Sequence, residues 1–360
     1  MSSSAEPSAP VGAAAAPTVR RRRRPPFWLT FGISVTVLAV MMITSFMIGR
    51  FSVEPLQAVK IVLSKVLPIE PTWDSIDAKV VWDVRLPRIL MAVLAGAALS
   101  CSGAAYQGVF RNPLVSPDIL GVAAGASFGA AVGIVAYGAF SPVVQLFAFV
   151  AGVGGVAIAY VIARTKGAIP NVMLILAGVV VGSLFNAGVS MMKTLADPYD
   201  ELPAITFWLM GSLAGMRWDN VAIASPVIVA ALVVLFLVSW RLNLLTMGEA
   251  EARALGVDTK RLQIVVIVCA TALTATAVSQ CGAIGWIGLV IPHMARMLVG
   301  PDHHRLIPTA AVLGGAFLLF IDNLTRTVTE TALPLSIPIA VIGAPVFAIL
   351  LRRTKQEWAG

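Results

Sequence analysis

The chain has 360 residues, of which 58% are hydrophobic and only 12% are charged, and its mean hydropathy is +0.88. A soluble protein carries about a quarter charged residues and a disordered chain is more polar still, so the composition excludes both classes and predicts a membrane protein. The net charge of +8 is typical of cytoplasmic loops in such a protein, and no basic face with interleaved aromatic residues indicates a nucleic-acid partner.

The N-terminal region, residues 1–26, is rich in alanine, proline and serine and contains the consecutive arginines Arg20 to Arg24. We expect it to be a disordered cytoplasmic tail. The apolar run 27–49 that follows is longer than the apolar core of a signal peptide, and no small-residue cleavage site ends it. We therefore expect this run to be retained as the first membrane span, with the arginines on the cytoplasmic side.

Nine further apolar runs follow, and at about 20 residues per helical span ten spans fit the length of the chain. With the first run, the predicted spans are 27–49, 88–109, 118–138, 143–163, 172–192, 220–240, 263–281, 284–299, 306–325 and 334–351. A polar loop, 50–85, separates the first two, and the shorter apolar run 203–216 predicts a re-entrant or surface helix. The predicted fold is all-α and polytopic, with ten transmembrane helices within 27–353 and a cytoplasmic C-terminal tail, 354–360.

The distribution of basic residues predicts the orientation of this fold. Ten spans with a cytoplasmic N-terminus place the C-terminus in the cytoplasm as well. Most of the 26 lysine and arginine residues then fall in the tails and in cytoplasmic loops, as the positive-inside rule requires. We therefore expect a multi-pass membrane protein with both termini in the cytoplasm.

Glycines are dense inside the predicted spans. The pairs Gly125 with Gly129 and Gly178 with Gly182 have the spacing of small residues that lets helix backbones approach closely. This spacing predicts tight helix packing and indicates no ligand.

A charged stretch at about 246–258, between the sixth and seventh spans, predicts a short cytoplasmic helix. Glu249 and Arg253 have the spacing of an i,i+4 ion pair, and Gly256 is placed to end the helix. Two interpretations remain open from the residues alone. The helix is either an ordinary amphipathic interfacial helix or a helix that docks into a groove of a soluble ATPase.

Arginines mark the outer face at two predicted span ends. Arg85 and Arg88 flank Pro87, which fixes the chain direction where the second span begins, and Arg326 ends the ninth span. Their guanidinium groups either extend to lipid headgroups or bind carboxylates of a soluble partner, for which the guanidinium fork is suited.

Two interrupted segments and several absent motifs narrow the function. The segment 110–117 has two prolines and predicts a stiff cytoplasmic turn, and the Gly/Pro-interrupted segment 282–293 is typical of helices that break around a transport pathway. Few charges fall deep in the spans, which argues against an ion-coupled carrier. The three cysteines lack metal-site spacing, and the chain has no phosphate-binding loop motif, so any ATP hydrolysis belongs to a partner.

Together these segments resemble the iron-chelate/cobalamin permease family of bacterial ABC importers, the FecCD type of the type II importers. The resemblance covers about residues 80–353. The motifs that carry it are Arg85-Leu86-Pro87-Arg88, Ser102-Gly103 with Gln107, Arg111-Asn112-Pro113-Leu114, Gly121-Val122 with Gly125-Ala126, the helix from Gly248 to Gly256, Gly285-x-Ile287-Gly288-Leu289-Val290-Ile291-Pro292-His293, Pro301-Asp302-His303, Asp322 with Arg326, and Gly343-Ala344-Pro345.

The resemblance implies roles for three sets of residues. Those of the outer face, which would meet glutamates of a binding protein, are Arg85, Arg88 and Arg326. Those of the coupling helix, which would seat on the ATPase, are Gly248, Glu249, Glu251, Arg253, Leu255 and Gly256. Those of the cytoplasmic gate are Asn112, Leu114 and Asn171. Two positions depart from the family pattern: Pro170-Asn171-Val172 replaces the small hydroxyl residues of some members, and Ser336 stands where glycine is usual.

The resemblance also implies partners and a function. The partners are two cytoplasmic ATP-binding subunits, a periplasmic substrate-binding protein and a second permease chain, either a copy or a close relative. The expected function is passage of an iron–siderophore chelate across the bacterial inner membrane by a transport subunit that is not an enzyme. It has no catalytic residue, binds no metal or cofactor itself, and relies on ATP and magnesium bound by its partners. Haem or cobalamin transport within the family, and ion-coupled secondary transport outside it, are the alternatives.

Overall fold

The computed structural model describes residues 25–49, 51, 53–164, 170–328 and 333–358, and these residues form helices and connections without a strand. In chain order the α-helices are α1 (Phe27–Ser45), α2 (Pro55–Leu63), α3 (Ser75–Lys79), α4 (Leu86–Phe110), α5 (Val122–Tyr137), α6 (Val143–Ala163), α7 (Asn171–Leu195), α8 (Glu201–Leu209), α9 (Trp218–Met247), α10 (Glu249–Ala254), α11 (Thr259–Cys281), α12 (Ile287–Val299), α13 (His303–Val328) and α14 (Ser336–Trp358). The predicted tail residues 1–24 and 359–360 lie outside the described residues.

Among the described residues, seven helical stretches are long and apolar enough to cross a membrane. They are Phe27–Ser45, Ser75–Phe110, Val143–Ala163, Asn171–Leu195, Trp218–Met247, Thr259–Cys281 and His303–Val328. Three shorter apolar helices are Val122–Tyr137, Ile287–Val299 and Ser336–Leu350. The prediction of an all-α fold with several apolar spans is thus confirmed. The number ten stays a prediction, since at 1.5 Å per residue a 13-residue helix such as α12 spans about 20 Å of a roughly 30 Å hydrocarbon core.

Helix α4 lies at the centre of the bundle, where α9, α11, α12 and α13 pack around it. Its glycines make this packing possible. A Cβ atom at Gly96 would lie 2.2 Å from the carbonyl oxygen of Gly314 on α13, and one at Gly103 would lie 1.8 Å from the carbonyl oxygen of Gly288 on α12. At both positions two helix backbones touch, which a side chain on either would prevent.

The segment 50–85, predicted as a polar loop, is largely helical where it is described. Helices α2 and α3 lie in it, and α3 continues through π-helical turns at Val80–Arg85 into α4, so that Ser75–Phe110 is one continuous helical stretch. The prediction was wrong here because charged residues in a short surface helix have the same composition as a loop. Trp82 in this stretch packs against Trp218, the first residue of α9, with ring centroids 5.1 Å apart.

Two of the predicted spans are interrupted: the break within 282–293 was predicted from its glycines and proline, whereas the span predicted from residue 118 begins with a 3₁₀ turn that was not predicted. A 3₁₀ turn, Pro117–Leu120, precedes α5, and an extended connection after Gly282 precedes α12. The broken ends meet, because a Cβ atom at Gly288 would lie 2.4 Å from the Cδ atom of Pro117. Trp286, the residue directly before α12, adopts a positive φ of 65°, which is a strained backbone conformation for a non-glycine residue.

The apolar run 203–216 contains the short helix α8 and a non-helical end. Backbone hydrogen bonds fasten that end to two other helices: Ser212 N donates to the carbonyl oxygen of Cys281 at 2.8 Å, and Leu335 N donates to that of Gly211 at 2.9 Å. The helix therefore ends at Leu209, earlier than predicted, because the backbone groups of Gly211 and Ser212 form hydrogen bonds with other segments instead of continuing the helix.

Candidate functional site

The predicted site residues fall at opposite ends of the bundle. The indole nitrogen of Trp218 donates to the carbonyl oxygen of Trp82 at 3.0 Å, which places the start of α9 beside the start of α4. The two helices pack side by side, so their C-terminal ends share the other end of the bundle. The predicted outer arginines lie at the first end, and α10 and the turn after α4 lie at the second.

Two of the outer arginines share one carboxylate. Arg88 Nε lies 3.0 and 3.1 Å from the two carboxylate oxygens of Asp322, and its Nη2 lies 2.8 Å from Oδ1. Arg326 Nε lies 3.2 Å from Asp322 Oδ2, one helical turn along α13. The Asp322 side chain is fully buried. We call Arg85, Arg88, Arg326 and Asp322 the arginine cluster.

Arg85 is held by backbone carbonyls. Its guanidinium group donates to the carbonyl oxygens of Phe46 and Phe51, on either side of the connection that follows α1. Only 4% of the residue is exposed. Arg85 therefore fixes that connection against the start of α4.

Arg326 completes the link between α13 and α1. Its Nη1 donates to the carbonyl oxygen of Ile48 at 2.9 Å, and its Nη2 donates to Ser45 Oγ at 2.7 Å and to the side-chain oxygen of Asn323. The Ser45 hydroxyl in turn donates to Asn323 Oδ1 at 2.7 Å. The cluster thus ties α1, α4 and α13 together at this end.

The structure therefore brings the three predicted arginines together, but most of their guanidinium N–H groups form hydrogen bonds within the chain. Their docking role stays a prediction. The residues that the sequence reasoning did not assign are Asp322, Asn323 and Ser45. For Asp322 a signal existed, because a carboxylate four residues before Arg326 in an apolar helix needs a cationic partner.

The short helix predicted at about 246–258 is present, but it is confined to Glu249–Ala254 between two glycines. Gly248 adopts φ 144° and turns the chain out of α9, and Gly256 adopts φ 81°, a left-handed conformation that ends the helix. Arg253 Nη2 lies 3.2 Å from Glu249 Oε2, which confirms the predicted ion pair. Asp258 then caps α11 by accepting a hydrogen bond from the backbone of Arg261 at 3.0 Å.

Most of α10 faces away from the bundle. Ala252 is fully buried against its neighbours, whereas Met247, the last residue of α9, is 67% exposed and Leu255, directly after α10, is 61% exposed. Between them Glu251 and Arg253 are also exposed. The helix therefore presents apolar side chains at its ends and charges between them, on a short rigid segment between two long helices.

The predicted gate residues lie close together at the same end. Asn171, the first residue of α7, donates through Nδ2 to the carbonyl oxygen of Val109 at 3.2 Å and accepts from Gln263 Nε2 at 3.0 Å. Asn112 Oδ1 accepts from the backbone of Leu114 at 2.9 Å, which shapes the exposed turn after α4. Sequence reasoning missed Gln263, since its contact with Asn171 spans helices that are distant in the sequence.

Helix α7 exposes a row of polar side chains along one face, at residues 183, 186, 190 and 194. Ser183, Ser190 and Thr194 donate to carbonyl oxygens one turn earlier in the same helix, and Asn186 is exposed beside them. Inside a membrane, polar side chains face protein or water instead of lipid. This face therefore suits a water-filled pathway or a contact with another chain. Among the described residues no three His, Cys, Asp or Glu side chains gather as a metal site would require.

Residues 37–353 match the FecCD transport family. The chain is 38% identical over 332 residues to the molybdate import system permease protein MolB of Haemophilus influenzae, which covers 91% of this chain and 96% of that protein. It is 41% identical over 273 residues to the cobalamin import system permease protein BtuC of Halobacterium salinarum, which covers 76% of this chain and 73% of that protein. A solved inward-facing structure of a metal-chelate type ABC transporter superposes with a TM-score of 0.80 at 37% identity, covering 90% of this chain and 99% of that one.

Proposed function

The chain belongs to the FecCD transport family and is a permease subunit of an ABC importer, and from this premise we propose that it carries an iron–siderophore chelate from the periplasm to the cytoplasm. Transport proceeds by alternating access driven by ATP hydrolysis on partner subunits, which bind ATP and magnesium. The protein is a transport subunit without a catalytic residue. It lies in the bacterial inner membrane as ten spans with both termini in the cytoplasm.

The observation that carries this proposal is the exposed helix α10. A soluble ATPase that drives a membrane protein needs a rigid contact on the membrane protein's cytoplasmic end. Helix α10 offers one, because Ala252 anchors it to the bundle while Met247, at the end of α9, and Leu255, directly after α10, are exposed on either side of it. Apolar side chains of this kind, surrounded by charges, are typical of protein–protein contacts.

The other partners follow from the exposed surfaces. Two permease chains, either identical or closely related, pair so that the polar face of α7 lines the space between them, together with the segments 118–138 and 284–325. Two ATP-binding subunits attach at α10 of each chain. The substrate-binding protein docks at the opposite end, where Arg88 of the arginine cluster keeps 14% of its side chain exposed.

The cytoplasmic gate of this pathway comprises Asn112, Leu114 and Asn171. The bonds of Asn171 to Val109 and Gln263 join the start of α7 to the end of α4 and the start of α11. Movement of α10 with the ATPase is transmitted through α11, so these neutral hydrogen bonds, worth about 1 kcal/mol each, can break and re-form within a transport cycle.

A second candidate cargo is an oxyanion or a corrinoid. The identity of 38% across 91% of the chain with a molybdate permease favours molybdate, and the identity of 41% with a cobalamin permease favours cobalamin. Haem is a further candidate, since the chain is 34% identical over 303 residues to a hemin transport permease of Yersinia pestis. The chain carries no sequence feature that separates these cargoes, because the binding protein selects the substrate in such systems.

Uptake by whole cells tests the cargo. In a strain that lacks this chain, restoring it is expected to raise the ATP-dependent uptake of labelled ferric siderophore by roughly tenfold over the empty vector, since a permease subunit has no substitute in its own complex. Labelled molybdate, cobalamin and haem serve as parallel substrates. Restored uptake of one of these three, with none for ferric siderophores, would overturn the iron assignment and leave the importer assignment intact.

A further inference from the structure

The arginine cluster contains more positive than negative charge. Arg88 and Arg326 both pair with Asp322, whereas Arg85 binds backbone carbonyl oxygens, and within the described residues no other carboxylate lies within ion-pair distance of any of the three. Buried charges are normally balanced by charges of the opposite sign, since an unpaired buried charge costs several kcal/mol. The cluster is therefore able to take a further negative group.

The three arginines differ in how firmly this chain holds them. Arg85 donates hydrogen bonds to two backbone carbonyl oxygens and is almost fully buried. The guanidinium group of Arg326 donates hydrogen bonds to Ile48, Ser45 and Asn323 and forms an ion pair with Asp322. Only 9% of its side chain is exposed. These two arginines link helices of the same chain.

Arg88 is different because one edge of its guanidinium group remains free. Its Nε and Nη2 bind Asp322, but its Nη1 makes no hydrogen bond within the described part of the chain. Its side chain is also the most exposed of the three, at 14%. The bidentate bond with Asp322 fixes the plane of the guanidinium group and therefore the direction of the free edge.

We propose that Asp322 is a positioning residue for partner docking: it holds Arg88 so that the free edge of the guanidinium group binds one carboxylate of the substrate-binding protein, while Arg85 and Arg326 keep α1 and α13 in place. This inference rests on the proposed docking of a binding protein at this end. It assigns a single contact arginine and a buried carboxylate that orients it.

The positioning role of Asp322 and simple charge attraction predict opposite changes in the affinity for the binding protein when Asp322 is replaced by asparagine. Asp322→Asn removes a negative charge from the cluster. If attraction of an acidic partner were the whole effect, the variant would bind the partner more tightly. If Asp322 orients Arg88, the variant loses the charge-assisted fork and binds more weakly despite the added positive charge.

The test uses the full complex in lipid nanodiscs and the purified substrate-binding protein of the same transport system. We expect Asp322→Asn to raise the dissociation constant about tenfold. The matched control for net charge is Glu70→Gln, which also removes one negative charge but at an exposed residue before α3, and it should alter the constant by less than about twofold. Unchanged or tighter binding by Asp322→Asn in an assembled complex would overturn the proposal.

A second variant keeps the proposal testable if Asp322→Asn does not assemble. Arg88→Lys preserves the charge and can preserve one contact with Asp322, but it lacks the second, outward edge of the guanidinium group. It is expected to weaken docking by about tenfold in a complex that still assembles. Docking by Arg88→Lys equal to that of the unaltered chain would also overturn the proposal. If the unaltered complex binds no binding protein at all, the proposed docking itself fails, which is a separate result.

Discussion

Replacing Leu255 with arginine is expected to reduce ATP-driven uptake by about tenfold or more while leaving the folded protein intact. The side chain is 61% exposed at the end of α10. A buried apolar anchor contributes strongly to an interface, and a charge in its place leaves an unpaired group at the contact with the ATPase. Uptake and ATP hydrolysis are measured on the same reconstituted preparation.

The control for this substitution is Lys260→Arg, a change at an exposed position on the first turn of α11, just beyond α10. It keeps the charge and is expected to leave uptake unchanged. Leu255→Arg should also leave the thermal unfolding of the isolated permease unchanged, since the side chain is not part of the core. Normal uptake with the Leu255 variant would contradict the proposed contact between α10 and the ATPase.

Replacing Gly103 with valine is expected to destabilise the folded chain by about 3 kcal/mol or more. Even a single Cβ atom would lie 1.8 Å from the carbonyl oxygen of Gly288, and this neighbour is backbone that cannot rotate away. Helices α4 and α12 would have to separate at the point where the broken membrane segments meet. Unfolding by heat in detergent, followed by the loss of helical signal, measures the effect.

The matched control is Gly182→Ala on α7, where a Cβ atom would meet nothing within 4 Å. Alanine also has the higher helix propensity, so this variant should be equally or slightly more stable. A Gly103 variant as stable as the Gly182 variant would contradict the close approach of α4 and α12.

Local signals explain most of what the sequence predicted correctly. Helix α10 was predicted because its glycines and its Glu249–Arg253 pair lie within ten residues of one another, where chain geometry alone fixes the contact. The break at 282–293 and the stiff turn at 110–117 were predicted for the same reason, since glycine and proline restrict the conformation of their own neighbourhood.

Contacts between distant residues account for what the sequence did not predict. The ion pair of Arg88 with Asp322 joins residues 234 positions apart, and no local pattern indicates it. The glycine spacing shows the same limit. A Cβ atom at Gly129 would lie 2.2 Å from the carbonyl oxygen of Phe147, whereas one at Gly182, which has the same spacing, would have no neighbour within 4 Å among the described residues. The spacing of small residues places them on one face of a helix, but it does not show whether another helix packs against that face.

The measurement that tests the central claim most directly is uptake into proteoliposomes. Vesicles that contain this chain with its ATP-binding subunits and binding protein are expected to accumulate labelled chelate only when ATP is hydrolysed, and to be indifferent to proton or sodium gradients. The sequence places few ionisable groups deep in the predicted spans, which argues against an ion-coupled mechanism. Accumulation driven by an ion gradient in vesicles that contain this chain alone would contradict the account.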